Sequence, residues 1–135
     1  MAPSEEIRIP QKPPMVMVDR LILATPTETV TAFVIRPGNV FVENGRFTEP
    51  GLIENMAQTA AAGSGARQEP GSEPRKGFIG GIRDLVIRQL PATGDEILTR
   101  VKVEHTVMDA SVVQAEVRLN NEMIASCGMK IFLMP

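Results

Sequence analysis

Residues 50–63, PGLIENMAQTAAAG, constrain the fold more than any other segment of this chain. Pro50 suits the first turn of a helix, and most of the residues that follow it are small. A helix so rich in alanine and glycine cannot fill a core with its own side chains, so larger side chains from elsewhere must enclose it. Its one carboxylate, Glu54, is expected in the first turn, beside backbone N–H groups that have no partner within the helix.

The composition is that of an ordinary soluble globular protein, with 43% hydrophobic and 22% charged residues among 135. This length predicts a single domain over residues 1–135, large enough to bury a core without metals or disulfides. A net charge of −2 gives no electrostatic reason to expect nucleic acid or an anionic membrane surface as a partner. No apolar run approaches the roughly 20 residues that span a bilayer. The first residues lack the apolar stretch of a signal peptide, so we expect a cytoplasmic protein.

The motifs predict neither a metal nor a cofactor. The single cysteine, Cys127, cannot form an internal disulfide and offers no metal-ligand spacing. It falls in an apolar strand pattern that is typical of a buried side chain. No phosphate-binding loop, dinucleotide fingerprint, zinc spacing or nucleophile elbow occurs in the sequence.

Alternating apolar and polar residues predict strands on both sides of this helix. Residues 1–14, rich in proline, predict an extended arm, and residues 39–49 predict a loop. Before the helix, residues 15–23 predict a strand or a helical turn leading into one, and the β-branched residues 29–35 predict another strand. The helix is expected to end near Arg67. Beyond it, period-two patterns predict four more strands, at residues 77–90, 97–107, 111–119 and 123–133.

This order of elements predicts an α+β protein with the hotdog fold. In that fold a curved antiparallel sheet wraps around a central helix, and small residues on the helix let the sheet approach closely. Asn120 and Asn121, between the last two strands, favour a tight hairpin turn. His105, the only histidine, falls by alternation on the apolar face of its strand, where core packing or a subunit contact is its expected role.

Three segments resemble the β-hydroxyacyl-acyl carrier protein dehydratases, a hotdog family. The segment LIENMAQ at residues 52–58 is similar to the central helix of the family. The segments IPQKPPMVMVDR at residues 9–20 and GFIGGI at residues 77–82 resemble its opening segment and the start of the strand after its helix. The run MAQT, followed by alanine and glycine, is closer still to the dehydratase-like branch found in aryl polyene and related pigment clusters.

The resemblance implies a reaction and the residues that perform it. In the family, a helix carboxylate and a loop histidine flank a β-hydroxyacyl thioester. The histidine removes the α-proton, and the carboxylic acid protonates the departing hydroxyl. The carboxylate corresponds to Glu54, and the amides that polarise the thioester carbonyl correspond to Gly51 and Leu52. Gln58, at i+4 from Glu54, is expected to orient it and to border the substrate site, with Phe78 as a further substrate contact.

The family histidine is missing from this chain. Where the family has Gly-His-Phe, this sequence reads Gly45-Arg46-Phe47, and the histidine often found in the opening segment is replaced by Gln11. Arginine stays protonated near neutral pH and cannot act as a base. Arg46 could instead pair with Glu54, bind the phosphate of a phosphopantetheine arm or point into solvent.

These features predict an acyl-thioester-binding, dehydratase-like protein. It would act on β-hydroxyacyl-acyl carrier protein in fatty acid, polyene or pigment synthesis, as a homodimer or a higher oligomer. Two alternatives stay open. A thioesterase acting on an acyl carrier protein or acyl-coenzyme A thioester would need only one helix carboxylate to activate water. A non-catalytic subunit of an active dehydratase would explain the missing histidine, which a histidine-bearing hotdog partner could supply.

Overall fold

A computed structural model describes residues 7–134 of the chain. Its strands are β1 (Arg20–Ala24), β2 (Glu28–Val34), β3 (Val42–Glu43), β4 (Arg46–Phe47), β5 (Gly77–Ile87), β6 (Glu96–Val107), β7 (Ala110–Leu119) and β8 (Glu122–Leu133). Six of them form an antiparallel sheet in the order β1-β2-β6-β7-β8-β5, and β3 pairs with β4. The helix α1 (Glu49–Arg67) packs across one face of the large sheet, here called the inner face, against β2, β6 and β7. This is the predicted hotdog fold.

The ends of α1 follow from the residues at its boundaries. Thr48 has the extended backbone of an N-cap residue (φ −80°, ψ 169°), and Pro50 occupies the first turn, where a missing N–H does no harm. The last residue, Arg67, places a positive charge at the negative end of the helix dipole. The predicted helix is therefore confirmed, with a start one residue earlier. Within residues 7–134, no helix combines the length and apolar character that crossing a membrane requires.

The loop predicted at residues 39–49 contains a short hairpin, so that prediction is wrong in part. β3 and β4 pair across Asn44 and Gly45, which both have positive φ (52° and 74°). Asparagine followed by glycine is a strong signal for a two-residue hairpin turn, and it was available in the sequence. At Asn120 and Asn121 the predicted turn is confirmed, since both residues again have positive φ (51° and 69°).

A β-bulge in β6 changes the position of the only histidine. The pairing of β6 with β7 is interrupted between Val103 and His105. One extra residue reverses the alternation of side chains beyond it. His105 is therefore exposed on the outer face of the sheet, next to Val112 and Lys130. The prediction that it lies on the buried face is wrong.

The chain before β1 is tied to the far end of α1. Arg8 donates hydrogen bonds to four backbone oxygens at the C-terminal end of α1 and in the turn that follows it. Its acceptors are Gly65, Gln68, Glu69 and Ser72, at 2.9, 3.3, 3.1 and 2.5 Å. Residues 7–14 contain neither helix nor strand, and the first six residues of the predicted arm lie outside the described part of the chain.

Gly65 is required where this segment crosses the helix. A Cβ atom on Gly65 would overlap the backbone oxygen of Arg8, a group that cannot rotate away. We expect Gly65→Ala to lower the free energy of unfolding by about 1–3 kcal/mol, the usual cost of overpacking, despite alanine's better helix propensity. Urea denaturation followed by circular dichroism measures this change. Gly38→Ala is the control, because no atom lies within 4 Å of the added carbon. A Gly65→Ala midpoint equal to that of the wild type would contradict the close crossing.

β5 forms one edge of the large sheet. It pairs with β8 on one side, and no strand within residues 7–134 covers its other side. Four apolar side chains of this strand are 39–55% exposed: Phe78, Ile82, Leu85 and Val86. Proteins rarely leave a long apolar edge strand uncovered, because it readily pairs with another chain. This edge is therefore a candidate surface for a partner.

Candidate active site

The carboxyl group of Glu54 is the centre of the candidate site. Because α1 begins at Glu49, Glu54 lies in the second turn of the helix rather than in the first, and its side chain is partly exposed. Its Oε2 accepts a hydrogen bond from Nε2 of Gln58 at 2.7 Å. Within residues 7–134, Oε1 has no hydrogen-bond partner and the carboxyl group forms no ion pair. One oxygen therefore fixes the orientation of the carboxyl group, and the other is available for proton transfer.

Gln58 is fully buried and uses its whole side-chain amide within the chain. Its Nε2 donates to Glu54 and to the backbone oxygen of Met15, both at 2.7 Å. Its Oε1 accepts a hydrogen bond from the backbone N–H of Met17 at 2.6 Å. Both N–H groups of the amide are thus engaged. Gln58 orients Glu54 and also fastens the segment before β1 to the helix.

Buried polar side chains extend this connection through the core. Asn55 donates to the backbone oxygen of Met17 at 2.7 Å and accepts from the hydroxyl of Thr99 at 2.5 Å. The Thr59 hydroxyl donates to the backbone oxygen of Asn55 at 2.8 Å, so Thr31 must be the donor in its 2.7 Å hydrogen bond with Thr59. These contacts join α1 to β2, to β6 and to the segment before β1. They fix the position of the helix that carries Glu54.

The first turn of α1 contains the two amides predicted to polarise the substrate carbonyl, those of Gly51 and Leu52. The N–H of Leu52 donates to the backbone oxygen of Thr48 at 3.1 Å, so it cannot also polarise a substrate carbonyl. The N–H of Gly51 has no partner within residues 7–134, as is usual in a first turn. A Cβ atom on Gly51 would overlap Phe47 and Phe41, which explains the glycine. Of the two predicted amides, only that of Gly51 can bind an oxyanion.

Arg46, which the sequence resemblance aligns with the family's histidine, lies on the short strand β4. Its side chain is exposed and donates to the backbone oxygen of Leu90 at 3.1 Å. Among the described residues it forms no ion pair with Glu54. This position therefore provides neither a base nor a counter-charge for the carboxyl group.

A cavity of about 90 Å³ begins one helical turn beyond Glu54. This volume exceeds the roughly 10–15 Å³ that one water molecule needs. Phe78 borders it from β5, but its ring stacks on Phe132 with the centroids 5.3 Å apart, on the outer face of the sheet with Lys130. Of the predicted site residues, Phe78 alone borders this cavity, and its ring faces away from it. Its apolar lining includes Ala57, Ala60, Ala61, Val101, Val113 and Ile131.

Two titratable groups outside this site do not contribute to it. His105 is on the outer face of the sheet, and α1 with Glu54 is on the inner face, so the sheet lies between them. Burial raises the pKa of the Cys127 thiol to about 11, so this thiol stays protonated and unreactive near neutral pH. Among residues 7–134, no group of three or more histidine, cysteine, aspartate or glutamate side chains could hold a metal ion.

Sequence reasoning missed the buried polar network around Glu54. The signal was the presence of Asn55, Gln58 and Thr59 in a helix whose other residues are mostly small and apolar. Buried polar side chains need hydrogen-bond partners. Three such residues on one enclosed helix indicate that the chain around it must supply them.

Comparison with known proteins agrees with the fold and gives the family. The sequence matches the ApeP-like family, described as ApeP dehydratase, over residues 3–135. It is 28% identical over 129 residues to the 3-hydroxyacyl-[acyl-carrier-protein] dehydratase FabZ of Listeria monocytogenes, covering 91% of this chain and 87% of that protein.

Solved structures show the same architecture at low sequence identity. The dehydratase heterocomplex ApeI:P from Xenorhabdus doucetiae is similar with a TM-score of 0.86 and 16% identity, over 94% of this chain and 88% of that chain. A hypothetical thioesterase with coenzyme A from Streptococcus pneumoniae TIGR4 has a TM-score of 0.69 and 8% identity, over 85% and 84% of the two chains. These likenesses show the hotdog fold, and the match over nearly the whole sequence shows the family. The chain belongs to the ApeP-like dehydratase family.

Proposed function

We propose that this chain binds a β-hydroxyacyl thioester, carried by acyl carrier protein or coenzyme A, and supplies the acid for its dehydration. The base is a histidine of a second hotdog chain. One observation supports this division most strongly: Glu54 is oriented and keeps one oxygen without a partner among the described residues, whereas the chain's only histidine lies across the sheet from it. Membership of a dehydratase family supports the type of reaction. Such a dehydration is a step of fatty acid, polyene or pigment synthesis.

Dehydration requires two proton transfers on one thioester. The partner's base removes the α-proton, and the electrons of that C–H bond form the new C=C bond. The bond between the β-carbon and its hydroxyl breaks as Glu54 protonates the oxygen, which leaves as water. The free N–H of Gly51 donates to the thioester oxygen while negative charge develops there. Gln58 holds Oε2 of Glu54, so that Oε1 delivers the proton.

The exposed edge of β5 is where we propose that the second chain binds. Pairing along this edge would extend the six-stranded sheet and cover apolar side chains such as Ile82 and Val86. Ile79, on the same strand, lines the cavity beside α1, so a chain bound there would lie next to the substrate. A homodimer would still lack a histidine near Glu54, because its second copy also carries His105 on the outer face. The ApeI:P structure is a dehydratase heterocomplex, which supports pairing with a different chain.

Val86→Lys is expected to weaken this association by about tenfold or more, because a lysine on an edge strand opposes strand pairing. Analytical ultracentrifugation of the chain, alone and with its partner, measures the effect. Val107→Lys is the matched control, since Val107 is also an exposed valine (64%) but lies on β6, away from the edge. Association that is unchanged by Val86→Lys would contradict this interface.

Enoyl product and free thiol, measured together, test the proposed function. The chain is incubated with a β-hydroxyacyl carrier-protein thioester, first alone and then with a histidine-bearing hotdog dehydratase from the same organism. We expect enoyl product only in the mixture. Thiol release by the chain alone, lost in Glu54→Gln, would instead establish a thioesterase. Enoyl formation in the mixture that does not change with Glu54→Gln would establish a non-catalytic subunit.

A further inference from the structure

Two arginines lie where the apolar cavity beside α1 meets a second, wider cavity of about 350 Å³. Both cavities are lined by Arg67 and Arg75, together with Ser64 and Ser111. The two cavities are neighbours that share these lining residues, and together they are here called the α1 groove. It begins one turn beyond Glu54, follows the small side chains of the helix and ends at a basic opening.

Neither guanidinium group is saturated by partners within residues 7–134. Arg67 donates one hydrogen bond, to the backbone oxygen of Thr25 at 3.3 Å. Arg75 donates from Nε to the backbone oxygen of Met134 and from one terminal nitrogen to Asp109, both at 3.1 Å. Because a guanidinium group has five N–H donors, each arginine keeps several for a ligand. Partial burial lowers the pKa of Arg67 through desolvation of its charge, which a bound anion would offset.

We propose that Arg67 and Arg75 bind the phosphate of the phosphopantetheine arm that carries the thioester, with the arm lying in the α1 groove. This inference rests on the proposed function, because it requires the thioester to lie at Glu54. It assigns to these two residues the phosphate-binding role that the sequence left open for Arg46. The guanidinium group of Arg46 donates a hydrogen bond to the backbone oxygen of Leu90.

The length of the α1 groove fits such an arm. Glu54 and Arg67 are 13 positions apart, which corresponds to about 20 Å along the helix axis. An extended arm of about thirteen bonds spans roughly 15 Å, at ~3.5 Å for every three bonds. Arginine side chains on a helix lean toward its N-terminus, which shortens the distance that the arm must span.

Polar groups along the α1 groove fit the amides of the arm. Ser64 and Ser111 line the first cavity among the apolar residues, and so does Gln11. The Oε1 atom of Gln11 is buried and has no hydrogen-bond partner within residues 7–134. A buried acceptor without a partner is costly, and an amide N–H of the arm would satisfy it. The groove thus offers hydrogen bonds between Glu54 and the basic opening.

One carboxylate opposes the phosphate at this opening. Asp109 pairs with Arg75 and lines the wider cavity, so its charge repels an incoming anion. Removing this charge should strengthen phosphate binding without changing either arginine. Asp109→Asn is therefore an informative variant, since it predicts a gain that general loss of structure cannot produce.

Calorimetric binding of two ligands to the full chain, alone and with its partner, tests this inference. The ligands are the hexanoyl amide analogues of phosphopantetheine and of pantetheine, which differ only in the phosphate. We expect the wild type to prefer the phosphorylated analogue by about ten- to hundredfold, as charge-assisted hydrogen bonds would give. This preference for the phosphorylated analogue should disappear in the double variant Arg67→Gln/Arg75→Gln and increase in Asp109→Asn. It should persist in the control variant Arg118→Gln, because Arg118 pairs with Glu116.

Equal affinity of the wild type for both analogues would overturn the phosphate site and leave the proposed function standing. A preference that survives in the double arginine variant would also overturn it. A different outcome is that free hexanoate binds more tightly than either analogue and loses this binding in Arg67→Gln/Arg75→Gln. That result would assign the two guanidinium groups to a fatty-acid carboxylate. Binding of neither analogue would contradict the proposed function as well.

Discussion

Replacing Glu54 with glutamine is expected to slow dehydration by the assembled enzyme by about 10²–10⁴-fold, the usual contribution of a general acid. Glutamine has nearly the same shape as glutamate but cannot deliver a proton to the leaving hydroxyl. Thioester binding and chain association should stay unchanged, because Glu54 is partly exposed and forms no ion pair within residues 7–134. The rate of enoyl formation at saturating substrate measures the effect.

Glu49→Gln is the matched control for this variant. Glu49 lies in the first turn of the same helix and is exposed, so its substitution removes the same charge close to the site. We expect its rate to stay within about twofold of the wild type, since the dipole interaction that it loses is worth only ~0.3–1 kcal/mol of stability. Equal losses in the two variants would mean that charge near the helix start matters, rather than proton transfer by Glu54.

Gln58→Leu is expected to lower the free energy of unfolding by about 2–4 kcal/mol. The substitution leaves the buried N–H of Met17 without its acceptor and the backbone oxygen of Met15 without its donor. Each buried polar group left unsatisfied costs about 1–3 kcal/mol. The leucine also removes the hydrogen bond that orients Glu54, so dehydration should fall even in the fraction that stays folded.

Two measurements separate these effects of Gln58→Leu. Urea denaturation gives the stability, and hydrogen exchange reports whether the N–H of Met17 becomes unprotected. Gln114→Leu is the control, because Gln114 is an exposed glutamine on β7. Unchanged stability together with retained protection of Met17 would show that Gln58 does not anchor this segment.

The sequence predicts the main helix and the long strands of this molecule because the patterns that mark them are local and repeated. Small residues after Pro50 predict the enclosed helix, and period-two alternation at 97–107, 111–119 and 123–133 predicts the long strands. These patterns depend only on the period of each element. They predict the hotdog fold without knowledge of which strands are neighbours.

The bulge in β6 could not be predicted in the same way. The residues around Val103 and His105 alternate without interruption, so nothing in the strand itself marks the extra residue. Bulges depend on the twist and pairing of neighbouring strands. This single shift moves the only histidine to the outer face, and it is decisive for the proposed division of the site between two chains.

The sequence predicted the carboxylate of the candidate site, but it did not predict the residues that surround it. Glu54 and Gln58 are one helical turn apart, so their hydrogen bond follows from local spacing. The bonds from Gln58 to Met15 and Met17 join residues more than 40 positions apart. Such pairs depend on the packed fold, which also explains why Arg67 and Arg75 did not stand out in the sequence.

The rate of enoyl formation, measured while the two chains are titrated against each other at fixed total concentration, tests the central claim most directly. If Glu54 and the partner's histidine form one site, the rate should peak near equal amounts and fall toward zero for either chain alone. Replacing wild-type chain with Glu54→Gln should remove the peak. A rate that follows the amount of the histidine-bearing partner alone, or full activity of this chain without a partner, would contradict the account.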